Sequence, residues 1–180
     1  MPEKLDFLTP TTLKVLDVFF VNSMEEFHER EIVRKAKISK GSANKILRHL
    51  AGLSLLRRDK RGRMVFYRLN RKDPVVKHLK ILNNLWTLRG FIERARESTK
   101  KIILFGSCAE GADVKESDID VFILTGEKKP VKEAVTWFNQ KNERKISPII
   151  LNADEFAKMR REDRPLYERI DRGIVLWEAA

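Results

Sequence analysis

The chain has 180 residues, 42% of them hydrophobic, and a net charge of +11, enough for one large or two small domains with a real core. No apolar run reaches about 18 residues, which argues against a membrane span, and the opening MPEKLDFLTP lacks the basic-then-apolar layout of a signal peptide. The single cysteine, Cys108, excludes an internal disulfide framework and points to the cytoplasm, while His28, His49 and His78 are too far apart in sequence to suggest a zinc site.

The charge is unevenly spread. Residues 25 to 72 hold 15 Lys and Arg against 5 Asp and Glu, a net +10, whereas residues 73 to 180 hold 20 against 18. A block of one sign points to a polyanionic partner.

In chain order, Thr9-Pro10 opens a first helix, with Thr as cap and Pro at the first helical position. Leu13, Leu16 and Phe20 repeat on it at helical spacing. Glu29 to Ala36 is a short second helix with Ile32, Val33 and Ala36 inward. Ser39 caps a third helix, Lys40 to about Ala51. Its apolar stripe is Ala43, Ile46, Leu47 and Leu50; Gly41, Asn44, Lys45 and Arg48 fall on the opposite face. Two strand-like runs then flank Arg58-Asp59-Lys60-Arg61-Gly62-Arg63, with Gly62 as the permissive turn residue.

A helix-turn-helix followed by a basic hairpin resembles the winged-helix domains of small prokaryotic regulators, over roughly residues 8 to 72. That resemblance implies a recognition helix for the major groove of DNA and a wing for phosphates. Asn44 and Arg48 are then candidate base readers, since Asn suits adenine and Arg suits guanine. Lys40, Lys45, Arg58, Lys60, Arg61 and Arg63 are candidate phosphate contacts. A winged helix used for protein contacts or dimerisation, with a solvated basic face, is one alternative, and RNA in place of DNA is another.

Asp73-Pro74 starts a long helix running to about Glu97, with Val76, Leu79, Leu82, Leu85, Trp86, Leu88 and Phe91 along it. Its stripe is wide enough to serve an intramolecular core and, beyond that, a homodimer.

The most specific segment follows, KIILFGSCAEGADVKESDIDVFIL at residues 101 to 124. The apolar run Ile102 to Phe105 ends in Gly106-Ser107. After ten residues, Asp118-Ile119-Asp120 leads into a second apolar run, Val121 to Leu124. Both runs read as buried strands. Alternation puts Asp118 and Asp120 on one face. Paired carboxylates of this kind repel unless a cation sits between them, and oxygen ligands suit Mg²⁺ together with substrate phosphates. The Gly-Ser turn offers backbone N–H groups and a hydroxyl for a phosphate.

This segment resembles the catalytic signature of the polymerase-β-like nucleotidyltransferases, and the stretch from about residue 99 to 180 looks closest to their minimal, stand-alone members. The resemblance implies that Gly106 and Ser107 hold the phosphates of a nucleoside triphosphate. It implies that Asp118 and Asp120 hold the catalytic Mg²⁺ or Mn²⁺. The family has a third carboxylate on a later strand. Here that strand reads KISPIIL, and the acidic position falls near Ser147 or Pro148, neither an acid. Asp154 and Glu155 lie just beyond.

Gly126 to Pro130 reads as a turn, and Val131 to about Asn142 as a helix with Val131, Ala134, Val135 and Phe138 inward. A strand (Ile146 to Leu151), helices at Asp154 to Arg160 and Leu166 to Ile170, and a short strand or tail at Ile174 to Trp177 complete the chain. The expected fold class is α+β: a winged helix-turn-helix at 1–72, a connecting helix at 73–98 and a nucleotidyltransferase-like mixed sheet with helices at 99–180. Two functions are open. One is transfer of a nucleoside monophosphate from an NTP to an acceptor. The other is a DNA-binding regulator whose second domain only binds nucleotide or is inactive.

Overall fold

The computed structural model describes residues 5–179; the first four residues of MPEKLDFLTP lie outside the described residues. The chain is a mixture of helices and two sheets. It divides into two compact units, one ending at His78 and one starting at Leu79. No helix of the described residues is long and apolar enough to cross a membrane.

The first unit holds α1 (Pro10–Val21), β1 (Glu26–His28), α2 (Glu29–Ala36), α3 (Lys40–Gly52), β2 (Leu56–Arg61) and β3 (Met64–Leu69). Each helix starts where a side chain accepts an orphan N–H. The Thr9 hydroxyl accepts from Thr12 N–H at 3.2 Å, and the Ser39 hydroxyl from Ser42 N–H at 3.1 Å. His28 and Glu31 form a reciprocal capping box on α2. Val15, Leu16, Phe19, Phe27, Ile32, Leu47, Leu50 and Tyr67 are buried. Leu13, expected on the buried stripe, is exposed instead, because the inward arc of α1 runs through Thr12, Val15, Leu16 and Phe19.

β2 and β3 form a hairpin whose turn is only Gly62-Arg63, with Gly62 at φ +60°. Arg58 to Arg61 therefore lie inside β2. β1, too short to stand out by its own pattern, pairs antiparallel with β3 and completes the sheet order β1-β3-β2.

α4 (Pro74–Ala95) begins at the cap of Asp73, whose carboxylate accepts from Val75 N–H at 2.8 Å. The boundary between the units falls within this helix. Val76, Leu88 and Phe91 are buried as expected, but Leu82 and Trp86 are 56% and 66% exposed.

The second unit continues with β4 (Lys101–Leu104), α5 (Ser107–Glu110), β5 (Ile119–Leu124), α6 (Lys128–Lys141), β6 (Ile146–Leu151), α7 (Ala153–Glu162), α8 (Arg164–Asp171) and β7 (Ile174–Glu178). α6 begins at Lys128, inside the expected turn, because Pro130 falls in the first helical turn, where its missing N–H has no partner to lose. The sheet order is β6-β5-β4-β7; β5 and β6 are parallel and the other pairs antiparallel.

Alternation along the strands gives this sheet two apolar faces. Ile102, Leu104, Ile119, Val121, Ile123 and Ile146 pack under Leu88 and Phe91 of α4 and Val131, Val135 and Phe138 of α6. Ile103, Phe105 and Phe122 face the other way, against Ile170, Leu166, Phe156 and Met159 of α8 and α7. The second unit is thus three layers, helix, sheet and helix.

α8 and β7 join at Gly173, where an ideal Cβ would lie 2.5 Å from both Ile103 Cγ2 and the Leu104 carbonyl oxygen. Gly173→Ala should destabilise the protein by about 1–3 kcal/mol in urea unfolding, the usual size of overpacking against backbone. Gly126→Ala, with nothing within 4 Å of its Cβ, serves as the control and should shift stability far less.

Candidate functional site

β4, an inner strand, delivers Phe105 and Gly106 at its C-terminal end, and β5 starts beside them. The Phe105 N–H donates to the Asp120 carbonyl at 3.1 Å, so Phe105 and Asp120 stand opposite each other on the face covered by α7 and α8. Gly106 follows with φ +67° and ψ −155°, a region open in practice to glycine alone. An ideal Cβ there would lie 2.5 Å from Asp120 Oδ2. The backbone angle therefore calls for glycine at this position, and a Cβ would in addition force the Asp120 carboxylate to shift. Ser107 begins α5, one turn of helix closed by Gly111 at φ +65°.

Asp118 lies just before β5 and is exposed; Asp120 is within β5 and half-buried. Burial raises the Asp120 carboxyl above the ordinary carboxylate value, Arg169 opposes that shift, and the charge of Asp118 adds to it. Gly106 and Asp120 thus meet at one corner, with Ser107 directly after Gly106 and Asp118 two residues before Asp120.

The parallel register pairs Asp120 with Ser147. Ser147 is exposed and shares the face of Asp120, so a third carboxylate on this strand would belong there. Glu155 does not replace it. Leu151 pairs with Leu124 at the far end of β5, about 13 Å along the strand from Asp120, and Glu155 comes after Leu151. Glu155 also closes the capping box of α7 and accepts from Lys128 at 2.6 and 2.7 Å, and that bond to Lys128 holds its carboxyl below the usual range. Asp154 occupies the same first turn of α7.

A buried polar cluster, which the sequence reading missed, holds the loop between Cys108 and Asp118. Asp113 is 2% exposed. Its carboxylate pairs with Arg144 at 3.0 Å and with buried Lys80 at 3.5 Å, and accepts from Asn84 Nδ2 at 3.1 Å. Arg144 also donates to the Ser117 carbonyl (3.2 Å), Asn84 Oδ1 (3.1 Å) and Cys108 Sγ (2.8 Å). The Cys108 thiol donates to the Asp118 carbonyl at 3.4 Å, and burial pushes the thiol up to about 11, so it is a packed group and not a thiolate nucleophile. The signal in the sequence was Lys80 and Asn84, four apart on the inward stripe of α4, where Val76, Leu88 and Phe91 are apolar.

The expected nucleic-acid residues lie in the first unit. Lys40, Asn44 and Arg63 line one groove between the start of α3 and the hairpin, with His28, Glu29 and Tyr67. Lys45 and Arg48 are exposed on α3, and Arg58 and Lys60 on β2. Asn44 is less free than its spacing suggests, because its amide donates to Glu29. Arg61 points to the opposite face of the hairpin from Arg58 and Lys60. There it is paired with both carboxylate oxygens of Glu26, one at 2.8 Å, and with Asp59 at 2.9 Å.

The family described as "Nucleotidyltransferase domain" matches residues 86–175, half of the chain. This chain belongs to the nucleotidyltransferase domain family. The match lies within the second unit and spans the corner of Gly106, Ser107, Asp118 and Asp120, so nucleotidyl transfer in general is the chemistry to which this domain belongs. Among solved structures, the chain is similar to a candidate nucleotidyltransferase from Sulfolobus solfataricus, at 17% identity over 57% of this chain and 87% of that one, with a TM-score of 0.36. No curated protein matches the chain.

Nucleotidyltransferase domains usually use a divalent metal and an NTP. Among the described residues no group of three or more His, Cys, Asp or Glu is placed to hold a metal. Asp118 and Asp120 are hard oxygen donors and fit an ion that shares its remaining positions with phosphate and water.

Replacing Asp113 by Ala would leave Lys80 and Arg144 facing a vacant buried site. The expected cost is about 3–5 kcal/mol, the usual penalty for breaking a buried ion pair from one side, read as a lowered urea midpoint with unchanged slope.

Proposed function

We propose that the protein is a nucleotidyltransferase that moves a nucleoside monophosphate from an NTP to an acceptor, and that its first unit is a winged helix that binds DNA. The observation that carries the first part is the close approach of Gly106 to Asp120 Oδ2, at a backbone angle that favours glycine. It brings a phosphate-cradling turn against a metal-binding carboxylate. In this reading Ser107 and the backbone of the turn orient the β- and γ-phosphates. Asp118 and Asp120 would hold Mg²⁺ or Mn²⁺. The ion, when bound, supplies charge neutralisation at the attacking and leaving oxygens. An acceptor hydroxyl attacks the α-phosphorus in line and gives its proton to water, the bond to the β-phosphate breaks, and pyrophosphate leaves. The chemistry depends mainly on positioning, which is why the buried Asp113–Arg144 cluster behind the loop matters.

A second reading is favoured by one specific observation. Ser147 stands beside Asp120 where the family's third carboxylate belongs, and Glu155 is committed to Lys128. With no carboxylate there to accept the acceptor's proton, the domain would bind nucleotide without turning it over and would report nucleotide to the DNA-binding unit.

One experiment separates the two. Calorimetric titration with ATP, GTP, CTP and UTP, with and without Mg²⁺, is paired with an assay of pyrophosphate release. A nucleotidyltransferase binds one of them and releases pyrophosphate, and Asp118→Ala and Asp120→Ala each abolish the release. The release assay is run with protein hydroxyls, small-molecule hydroxyls and nucleic-acid ends supplied as acceptors, and binding without release in any of them favours the sensor. Turnover retained in either aspartate variant removes the two-aspartate assignment.

The DNA-binding part rests on the net +10 of residues 25 to 72 and on Lys40, Asn44 and Arg63 lining one groove. Affinity for a mixed-sequence duplex should fall steeply with salt. Replacing Arg58 and Lys60 together should reduce the slope of log K against log salt by about 2, at about 0.9 per phosphate contact. Arg61→Ala should leave the slope nearly unchanged, because Glu26 and Asp59 already neutralise that guanidinium. Binding indifferent to salt would remove this assignment.

A further inference from the structure

Five arginines lie on or at the end of the helical layer over the Asp120 face: Arg160, Arg161, Arg164, Arg169 and Arg172. Three of them have work to do within that layer. Arg160 lies over the Tyr167 ring at 5.3 Å, Arg164 pairs with Glu168 at 2.9 Å, and Arg172 donates to the Glu168 carbonyl at 3.1 Å. Arg169 has no carboxylate within ion-pairing distance among the described residues. Its guanidinium carbon stands 5.8 Å from the centre of the Phe105 ring. Phe105 is the residue directly opposite Asp120 and directly before Gly106. Ile170, the next residue of α8, is buried against the same face and fixes the helix there.

An exposed guanidinium resting on a ring face keeps its N–H donors free, and their planar fork matches two oxygens of one phosphate. Phe105 is bonded to Gly106 and pairs with Asp120, so Arg169 stands beside the corner at which the triphosphate is proposed to bind. The charge there also differs from a three-carboxylate site. Ser147 removes one negative charge beside Asp120, and Arg169 adds a positive one whose field reaches Asp120. The balance moves away from holding cations and toward holding an anion.

Resting on the nucleotide site proposed above, we infer that Arg169 is a substrate-binding residue that clamps the triphosphate of the nucleotide and supplies part of the positive charge otherwise left to metal ions. A share of nucleotide affinity therefore persists without a divalent ion, and that share depends on Arg169.

The test is calorimetric titration of the full chain with ATP, GTP, CTP and UTP, in Mg²⁺ and in excess EDTA, with wild type, Arg169→Ala, Arg169→Lys and the control Lys158→Ala. Lys158→Ala removes one exposed positive charge from α7 and leaves the corner untouched. Thermal melting of each variant confirms folding, and the exposed position of Arg169 makes Arg169→Ala a mild change. The expected result is that wild type still binds in EDTA, and that Arg169→Ala weakens binding in Mg²⁺ by about tenfold or more, the size of one charge-assisted hydrogen bond. It should also abolish the EDTA signal, while Arg169→Lys recovers part of it and Lys158→Ala matches wild type. Wild-type binding that Arg169→Ala leaves unchanged overturns the inference and leaves the nucleotide site standing. An equal loss in Lys158→Ala also overturns it, since the effect would then be general charge. Absence of wild-type binding to any of the four nucleotides removes the nucleotide site and the inference with it.

Discussion

Asp120 shares its corner with Gly106, whose backbone angle favours glycine and whose Cα side lies hard against the Asp120 carboxylate, and the candidate site is built on that contact. A half-buried carboxylate with a second carboxylate nearby is costly for the fold. It persists because the surroundings are rigid. β4 and β5 are bonded in register up to the corner, and the Phe105–Asp120 backbone bond closes it. Behind it, the loop that carries Asp118 is tied by Arg144 to Asp113, Asn84 and Cys108. The corner thus depends on residues from α4 and from the segment before β6, both distant from it in sequence.

Stability and function draw on this cluster in different ways. A buried ion pair contributes little net stability against an apolar replacement, but breaking it from one side is expensive. Its value here is geometric: the Ser117 and Asp118 carbonyls are held directly by Arg144 and Cys108, which places the side chain of Asp118 without a strand to carry it. The thiol of Cys108 is spent on the same task, and burial keeps it protonated.

The first unit shows how a charge block is sorted by a two-residue period. β2 alternates, so Arg58 and Lys60 share the sheet face of Leu56 and Tyr67, while Arg61 faces Glu26 and Asp59. Of the four basic residues between 58 and 63, one is neutralised within the protein. Asn44, chosen for its place on α3, meets a carboxylate on the neighbouring helix α2. Composition alone counts such residues as available, because it carries no information about which face meets an acid.

Local rules made much of this protein legible in the sequence. Thr9, Ser39 and Asp73 mark helix starts, since a cap is a contact within three residues. The two apolar runs bracketing Gly106-Ser107 and Asp118-x-Asp120 identify β4, β5 and the corner between them, because strand burial and glycine's permitted angles are properties of short segments. Tertiary structure alone decided the rest. The resemblance had put the missing acid near Ser147 or Pro148; that Ser147 is the one beside Asp120, and that Glu155 lies at the far end of the sheet, follows from the parallel register of β5 and β6, a pairing across more than 25 residues. The burial of Lys80 and Asp113, and the approach of Arg169 to Phe105, likewise join segments separated by tens of residues. Charge and periodicity state what a residue is able to do; only packing across such separations states what it stands beside.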